Sequence, residues 1–298
     1  MKKHAYLIMA HNEPELLKKI LKEIDDPRND IYIHIDKKSK DLDPRKFENA
    51  VNMSKIYFVP GMSIYWGTIS MVKCELRLLD AAVKRKYHYY HLISGADFPL
   101  KSQDYIHAFL DDEDSEFISY HKDGEPGYDF LKKIRLYYPL MRYVGKGVFE
   151  GNTIHDKIGR KLGYWQLRFT EIQEDHHVDR TRRYKDLVFY KGDQWFTITH
   201  DFAQYVLSRK REILWTYFLT DGADEIFLST LAMNSGFACK VKNTSLREID
   251  WKRGEPYEYT KDDLDMLKSS NALFARKISY DNSPELVEGL INHLHPTV

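Results

Sequence analysis

Residues 4–24 read HAYLIMAHNEPELLKKILKEI, and residues 31–36 read IYIHID. The first seven residues form a short apolar run, which is typical of a buried strand. After Pro14, apolar residues recur every three or four positions, which predicts an amphipathic helix. The isoleucines of the second segment alternate with other residues, which predicts a second strand. The chain therefore opens with a strand–helix–strand unit.

The alternation of strand and helix continues beyond this unit. Residues 68–85 form the clearest predicted helix, because their apolar side chains repeat with a helical period. Residues 89–94 form another apolar run. Such an order predicts a mostly parallel sheet with helices on both faces. We therefore predict an α/β fold with a mixed, mostly parallel central sheet flanked by helices.

The polar residues that directly follow the predicted strands are the first candidates for a binding site. Ligands of such sheets bind outside the carboxyl ends of the strands. The candidates at these positions include His11, Asp36, Ser94 and Asp97. We expect these side chains to share one edge of the sheet.

Residues 123–191 differ from the rest of the chain, because they are rich in Tyr, Arg, Lys and Gly and have weak periodicity. We interpret them as an insertion or lid with short helices inside a single domain that spans residues 1–298. Regular patterns return in the last third. They predict a helix capped by Asp201, a helix over 223–234 and a helix that begins after Thr260.

The composition is that of an ordinary globular protein, with 43% hydrophobic and 30% charged residues. The 45 basic and 45 acidic residues balance, which argues against a nucleic-acid partner. No run approaches the roughly 20 apolar residues of a membrane span, and peripheral contact with a membrane stays open. The two cysteines, Cys74 and Cys239, suit a reducing compartment, so we expect a cytoplasmic protein.

The sequence has no glycine-rich phosphate loop, neither Gly-x-Gly-x-x-Gly nor a P-loop. Its Asp-x-Asp strings lie in polar loops or inside a predicted helix, so we predict no metal site. Arginine and lysine would then meet the charge of a diphosphate. The best candidates are Arg276 and Lys277, which interrupt the apolar stretch 273–278. The residues alone slightly favour the alternative, a strand edge with solvated charges.

Acidic residues gather at the start of a predicted helix in residues 220–227. N-capping explains Asp221 and Asp224 well. Glu225 is less fully explained, and it is either an ordinary first-turn acid or a general base. The histidine pairs 88/91 and 176/177 lack the Cys or carboxylate partners of known metal sites, so we interpret them as core or surface residues.

Taken in order, several blocks of the sequence match one family. The chain resembles the core-2/I-branching β-1,6-N-acetylglucosaminyltransferase family (glycosyltransferase family 14), which also includes the peptide O-xylosyltransferases. The blocks that carry the resemblance are residues 5–12, 33–37, 66–67, 92–100, 192–196, 224–225, 250–251 and 273–277.

The resemblance implies a GT-A-like fold, inversion at the anomeric carbon and no metal cofactor. It implies that Glu225 is the catalytic base and that Arg276 and Lys277 bind the diphosphate. It also implies that Asp36 lies near the uridine, with His11 close by. The substrate-binding residues that it suggests are Trp66, Ser94, Asp97, Trp195 and Trp251.

The function predicted on this basis is transfer of GlcNAc from UDP-GlcNAc to a hydroxyl of a glycan acceptor, with formation of a β-linkage during surface polysaccharide synthesis. Xylosyltransferases carry Asp at the position of Gln194, which makes transfer from UDP-xylose the less favoured alternative. An alternative of a different class is a non-catalytic carbohydrate-binding protein. This alternative predicts that the protein binds sugars with an affinity that UDP does not change.

Overall fold

The computed structural model describes residues 2–125, 130–145, 151 and 153–295. Its strands in chain order are β1 (His4–Ala10), β2 (Asn29–Ile35), β3 (Lys55–Val59), β4 (Tyr89–Ser94), β5 (Phe98–Pro99), β6 (Glu116–Ile118), β7 (His121–Lys122), β8 (Tyr190–Lys191), β9 (Phe196–Thr199), β10 (Val241–Lys242), β11 (Arg247–Ile249) and β12 (Phe274–Arg276). Its α-helices are α1 (Pro14–Glu23), α2 (Ile69–Ala82), α3 (Gln103–Leu110), α4 (Leu131–Arg135), α5 (Met141–Val144), α6 (Ile154–Asp175), α7 (His200–Ser208), α8 (Lys210–Thr216), α9 (Phe227–Met233), α10 (Leu264–Ser269) and α11 (Pro284–Leu294).

The main sheet has seven strands in the order β10-β6-β9-β4-β1-β2-β3. Neighbouring strands are parallel except at β9, which runs antiparallel to both β4 and β6. The predicted α/β fold with a mixed, mostly parallel sheet is therefore confirmed. The strand–helix–strand unit that opens the sequence forms β1, α1 and β2.

The main sheet separates two apolar cores. Along β1, Ala5 and Leu7 face one core, whereas Tyr6 and Ile8 face the other. Successive side chains of a strand point to opposite faces, so one strand serves both cores. Helices α2 and α7 cover the first face, and α1 and α11 cover the second. Helices therefore lie on both faces, as the sequence predicts.

A small sheet of strands β11, β12 and β5 lies beside the main sheet. Its central strand β12 pairs with β5, and a short turn joins β5 to β4. In this pairing, Phe274 lies opposite Pro99 and Ala275 lies opposite Phe98. This pairing brings Arg276, the last residue of β12, next to the end of β4. A residue late in the chain thereby joins the edge formed by early strands.

Two helix starts differ from the sequence prediction. Helix α7 is capped by Thr199, whose side chain accepts a hydrogen bond from the backbone of Phe202, and Asp201 lies inside the helix. The predicted helix over 223–234 is divided into a 3₁₀ turn, Ala223–Glu225, followed by α9. The cap predicted at Thr260 is confirmed, because Thr260 forms a capping box with Asp263.

The predicted insertion contains α4, α5 and the 22-residue helix α6. The expectation of short helices alone was therefore wrong. Helix α6 begins with a capping box between Thr153 and Asp156, which satisfies backbone N–H groups of its first turn. Residues 126–129, 146–150 and 152 of this insertion lie outside the described residues. Among the helices that the structure describes, none is long and apolar enough to cross a membrane.

Candidate active site

The carboxyl ends of β1, β2 and β4 meet at one edge of the main sheet, which we call the carboxyl edge. Its three loops begin at His11, Asp36 and Gly95. The Asp36 N–H donates to the Ala10 carbonyl over 3.0 Å, and the Gly95 N–H donates to the Met9 carbonyl over 3.1 Å. These bonds hold the loops side by side, where ligands of such sheets bind.

Arg276 is held at this edge by a buried carboxylate. Its Nη1 donates to Asp97 Oδ1 over 2.7 Å and to Ser94 Oγ over 2.5 Å. Its guanidinium carbon lies 4.4 Å from the centroid of the Trp195 ring. Asp97 is fully buried, whereas 20% of the Arg276 side chain is exposed. The buried Asp97 therefore orients Arg276, and the remaining N–H groups of the guanidinium stay available to a ligand. A solvated charge at a strand edge would have no such buried partner.

Lys277 adds a second cation beside Arg276, and His11 lies within electrostatic reach of both. Lys277 Nζ lies 3.1 Å from Glu258 Oε2, and much of its side chain is exposed. Loss of hydration lowers the pKa of His11; Asp36 opposes this effect, and the charges of Arg276 and Lys277 add to it. His11 is therefore neutral at pH 7, and it lies within electrostatic reach of the three residues with which it was predicted to act.

The Asp36 carboxylate is buried and is tied to the loop that precedes α2. It accepts hydrogen bonds from the backbone of Lys38 over 2.9 Å and of Ile64 over 3.4 Å. The ring of Tyr65 in this loop faces two cations, Lys38 Nζ at 4.5 Å and the Arg142 guanidinium at 4.6 Å. The loop is thus fixed on one side by β2 and on the other by α5.

Glu225, the predicted base, ends the 3₁₀ turn Ala223–Glu225. Its Oε2 lies 3.1 Å from Lys191 Nζ, and 30% of its side chain is exposed. The Gly192 N–H donates to the Glu225 carbonyl over 2.8 Å. The backbone of Glu225 is therefore fixed, while its carboxylate stays accessible and is oriented by the ammonium group of Lys191.

The turn that precedes Glu225 packs against the loop that precedes α2. The Gly222 N–H donates to the Gly67 carbonyl over 3.0 Å. Both glycines have left-handed backbones, with φ of 64° and 70°, which glycine adopts without steric cost. Gly222 occupies the cap position, and no side chain caps the turn. The capping explanation for Asp221 and Asp224 was therefore wrong.

Three acids near Glu225 have raised pKa values; Glu75 and Asp224 are buried, and Asp221 is partly exposed. Glu75 in α2 is fully buried, and its Oε1 accepts a hydrogen bond from Gln194 Nε2 over 2.9 Å. Burial raises the pKa of Glu75 well above its usual value, and the nearby charge of Asp224 raises it further. Burial, followed by the charge of Glu225, raises the pKa of Asp224 to about 7. Burial also raises the pKa of Asp221. Burial therefore favours the protonated form of Glu75.

The two exposed tryptophans of the predicted site lie on loops. Trp66 directly precedes Gly67 and thus adjoins the turn of the base. Trp251 follows β11 in a loop whose Tyr257 accepts a hydrogen bond from the Lys277 N–H over 3.4 Å. Within the described ranges, no hydrogen bond or ring contact joins Trp251 to another predicted site residue. The structure therefore brings seven predicted residues together at the carboxyl edge: His11, Asp36, Ser94, Asp97, Trp195, Arg276 and Lys277. Glu225 and Trp66 lie at the two turns that the Gly222–Gly67 bond joins, and Trp251 lies apart on its own loop.

Cations are the groups at this edge that suit a diphosphate. Within the described part of the chain, no group of three or more His, Cys, Asp and Glu side chains is placed to hold a metal ion. Arg276 and Lys277 offer exposed N–H donors at the carboxyl edge. Glu225 offers an accessible carboxylate near Lys191. The arrangement can bind an anion at one position and accept a proton at another.

One protein family matches nearly the whole chain. A family model described as Core-2/I-Branching enzyme matches residues 4–271. This chain belongs to that family. Mouse xylosyltransferase 2 is 24% identical over 321 residues, which cover 98% of this chain and 33% of the relative. A human N-acetyllactosaminide β-1,6-N-acetylglucosaminyl-transferase is 24% identical over 313 residues, which cover 96% of this chain and 70% of the relative. The chain thus spans about a third of the length of its xylosyltransferase relatives.

Solved structures share only a distant likeness with this core-2/I-branching family member. Mouse xyloside xylosyltransferase 1 in its apo form aligns with a TM-score of 0.38 and 8% identity, over 92% of this chain and 97% of the other. Core-mannan synthase A from Aspergillus fumigatus, in a form with Mn and GDP, aligns with a TM-score of 0.38 and 11% identity, over 81% and 72% of the two chains.

Sequence reasoning missed two residues of the site in this core-2/I-branching enzyme. Lys191 was missed because a single lysine before Gly192 carries no signal of its partner. Glu75 did carry a signal, since it lies three residues after Val72 and four before Leu79, on the apolar face of α2. An acid at such a core-facing position is rarely buried without a partner.

Proposed function

We propose that this protein is a glycosyltransferase that moves GlcNAc from UDP-GlcNAc to a glycan hydroxyl, with inversion and without a metal ion. The observation that carries the proposal is the position of Arg276, which Asp97 holds at the carboxyl edge beside Lys277. Family membership supports the reaction class, because the relatives are named as xylosyl- and N-acetylglucosaminyltransferases.

In the proposed reaction, the acceptor hydroxyl oxygen attacks C1 of the donor sugar while the bond from C1 to the β-phosphate oxygen breaks. The electron pair of that bond leaves with UDP, whose added charge is met by Arg276 and Lys277. The hydroxyl proton passes to the Glu225 carboxylate, which Lys191 orients. A general base contributes about 10²–10⁴ in rate, and one contact to the developing charge contributes about 10²–10³.

The choice of donor sugar depends on the residue at position 194. The xylosyltransferase and the N-acetylglucosaminyl-transferase relatives are both 24% identical to this chain, so overall similarity does not separate them. The residue at 194 is Gln, where the resemblance gives xylosyltransferases an Asp. We therefore propose UDP-GlcNAc, with UDP-xylose as the alternative that a donor panel tests.

The first experiment is a calorimetric titration with UDP, UDP-GlcNAc and UDP-xylose, in EDTA and then with Mn²⁺. We expect binding in EDTA, and we expect Arg276→Gln to weaken UDP binding at least about tenfold, because a charge-assisted contact is lost. Arg45→Gln is the matched control, since this arginine is highly exposed and pairs with Asp43. Binding that requires Mn²⁺ would overturn the role given to the two cations.

The second experiment measures donor turnover, with hydrolysis of the UDP-sugar as the readout. Glu225→Gln should lower turnover about 10²–10⁴-fold and leave UDP affinity unchanged, because the base acts after binding. Glu212→Gln, an exposed acid in α8, is the control. Full activity of Glu225→Gln would refute the base. Sugar binding whose affinity does not change with UDP or with the Glu225→Gln substitution would instead support the carbohydrate-binding alternative.

A further inference from the structure

The buried side chains of helix α6 are polar, whereas most of its large apolar side chains are exposed. Among its buried residues, Gln166 accepts a hydrogen bond from the Leu140 N–H over 2.9 Å. Gln173 accepts from the Tyr137 N–H over 2.8 Å and donates to the Tyr137 carbonyl over 2.9 Å. A surface helix ordinarily packs its apolar side against the core. In the part of the chain that the structure describes, the large apolar side chains of α6 are thus left exposed.

Five of the outward apolar residues form one stripe, whereas the exposed Tyr164 and Leu167 lie elsewhere on the helix. We define the α6 stripe as five residues, each between 39% and 77% exposed: Ile154, Ile158, Trp165, Phe169 and Ile172. At about 100° per residue, they fall within about 60° of the helix circumference. The stripe thus forms a single continuous surface along the helix.

Basic residues flank the stripe over the first two thirds of α6. Lys157 and Lys161 lie along one side of it, and Arg168 continues the same row. Neither lysine forms an ion pair within the described part of the chain, whereas Arg168 pairs with Glu171. The acids of α6 stand mostly in its last turns, apart from Asp156 in the capping box. The chain as a whole has no net charge, so this positive row is a local feature.

We propose that the α6 stripe docks onto an anionic lipid bilayer. A helix with Trp, Phe and Ile on one side, and Lys and Arg beside them, binds in the interface plane of such membranes. Anionic headgroups complement the lysine row. A second copy of this chain is a poorer partner, because a self-complementary contact around the stripe would place lysine rows of equal charge close together. The proposal does not depend on the proposed transferase activity, since it concerns binding alone.

The test is co-sedimentation of the full chain with phosphatidylcholine vesicles, with and without about 30% phosphatidylglycerol. We expect binding to the anionic vesicles only, and weaker binding at high salt. Ile158→Ser/Trp165→Ser should lower the partition coefficient at least about tenfold through lost apolar burial. Lys157→Glu/Lys161→Glu should lower it to a similar degree through lost charge attraction. Thermal unfolding of each variant checks that these exposed substitutions leave the fold intact.

Met53→Ser/Met266→Ser is the control, because both methionines are exposed apolar residues outside the stripe. We expect this variant to bind vesicles as the wild type does. Binding that no stripe variant weakens would overturn the proposal, as would no binding to anionic vesicles. A concentration-dependent dimer that Trp165→Ser abolishes, without vesicle binding, would identify the stripe as a self-interface instead.

Discussion

Replacing Asp97 by Asn tests whether a buried carboxylate holds Arg276 in place. Asp97 accepts hydrogen bonds from Arg276 Nη1 over 2.7 Å, from the Ser94 N–H over 2.7 Å and from Ser94 Oγ over 3.0 Å. Asn offers one oxygen and one NH₂ group, so one donor would face another donor. Removing one partner of a buried pair costs about 3–5 kcal/mol. We expect about 3 kcal/mol, because Arg276 is partly exposed and water can replace part of the contact.

Two measurements check this expectation. Urea unfolding gives the loss in the free energy of unfolding, and calorimetry gives the UDP affinity, which should fall at least about tenfold because Arg276 loses its orientation. Asp104→Asn is the matched control, because Asp104 pairs with Arg28 over 2.6 Å but is 90% exposed. Such a surface pair is worth at most about 1 kcal/mol. Equal losses in the two variants, or unchanged UDP affinity in Asp97→Asn, would refute the reasoning.

Further predictions concern the buried acids and two glycines. The raised pKa values of Glu75 and Asp224 mean that the fold loses stability as pH rises above about 4.5, because these acids then ionise in the unfolded chain but stay protonated in the folded one. Glu75→Gln should therefore gain stability relative to wild type as pH rises above about 4.5, by up to about 1.4 kcal/mol per pH unit, and a constant difference in urea unfolding would contradict this. Gly192→Ala should unfold at much lower urea, because its Cβ would lie 1.8 Å from the Ser119 carbonyl oxygen. Gly163→Ala is the matched substitution inside α6, because no atom lies within 4 Å of the added Cβ. It should raise the free energy of unfolding by about 1 kcal/mol, since alanine favours a helix more than glycine does.

The parts of the fold that could be predicted are those whose signal is local. Strands β1 and β2 and helix α1 follow from apolar periodicity within the first 36 residues. The carboxyl edge follows as well, because parallel topology brings His11 and Asp36 together. Helix α6 escaped prediction because its apolar side faces outward. Its buried Gln166 and Gln173 gave no amphipathic pattern directed at a core.

The parts of the site that could not be predicted depend on contacts between distant segments. Residue patterns alone could not choose between a solvated and an anion-binding Arg276, because its partner Asp97 lies 179 residues earlier. The family resemblance suggests the anion-binding role, and the contact with Asp97 shows how the guanidinium is oriented. The cap of α7 was predicted at Asp201, two residues beyond its observed position at Thr199. Thr199 and Asp201 are both good capping residues, and the end of β9 decides between them.

The position of β9 in the main sheet bears on how the chain is made. Strand β9 lies between β4 and β6, yet it leaves the ribosome about a hundred residues after β4. At about 5–20 residues per second, this delay is on the order of 10 s. During that time the edge of β4 stays unpaired, and an open edge invites pairing with other chains. A nascent chain that stops before residue 196 therefore cannot complete its sheet, however well its first strands have formed.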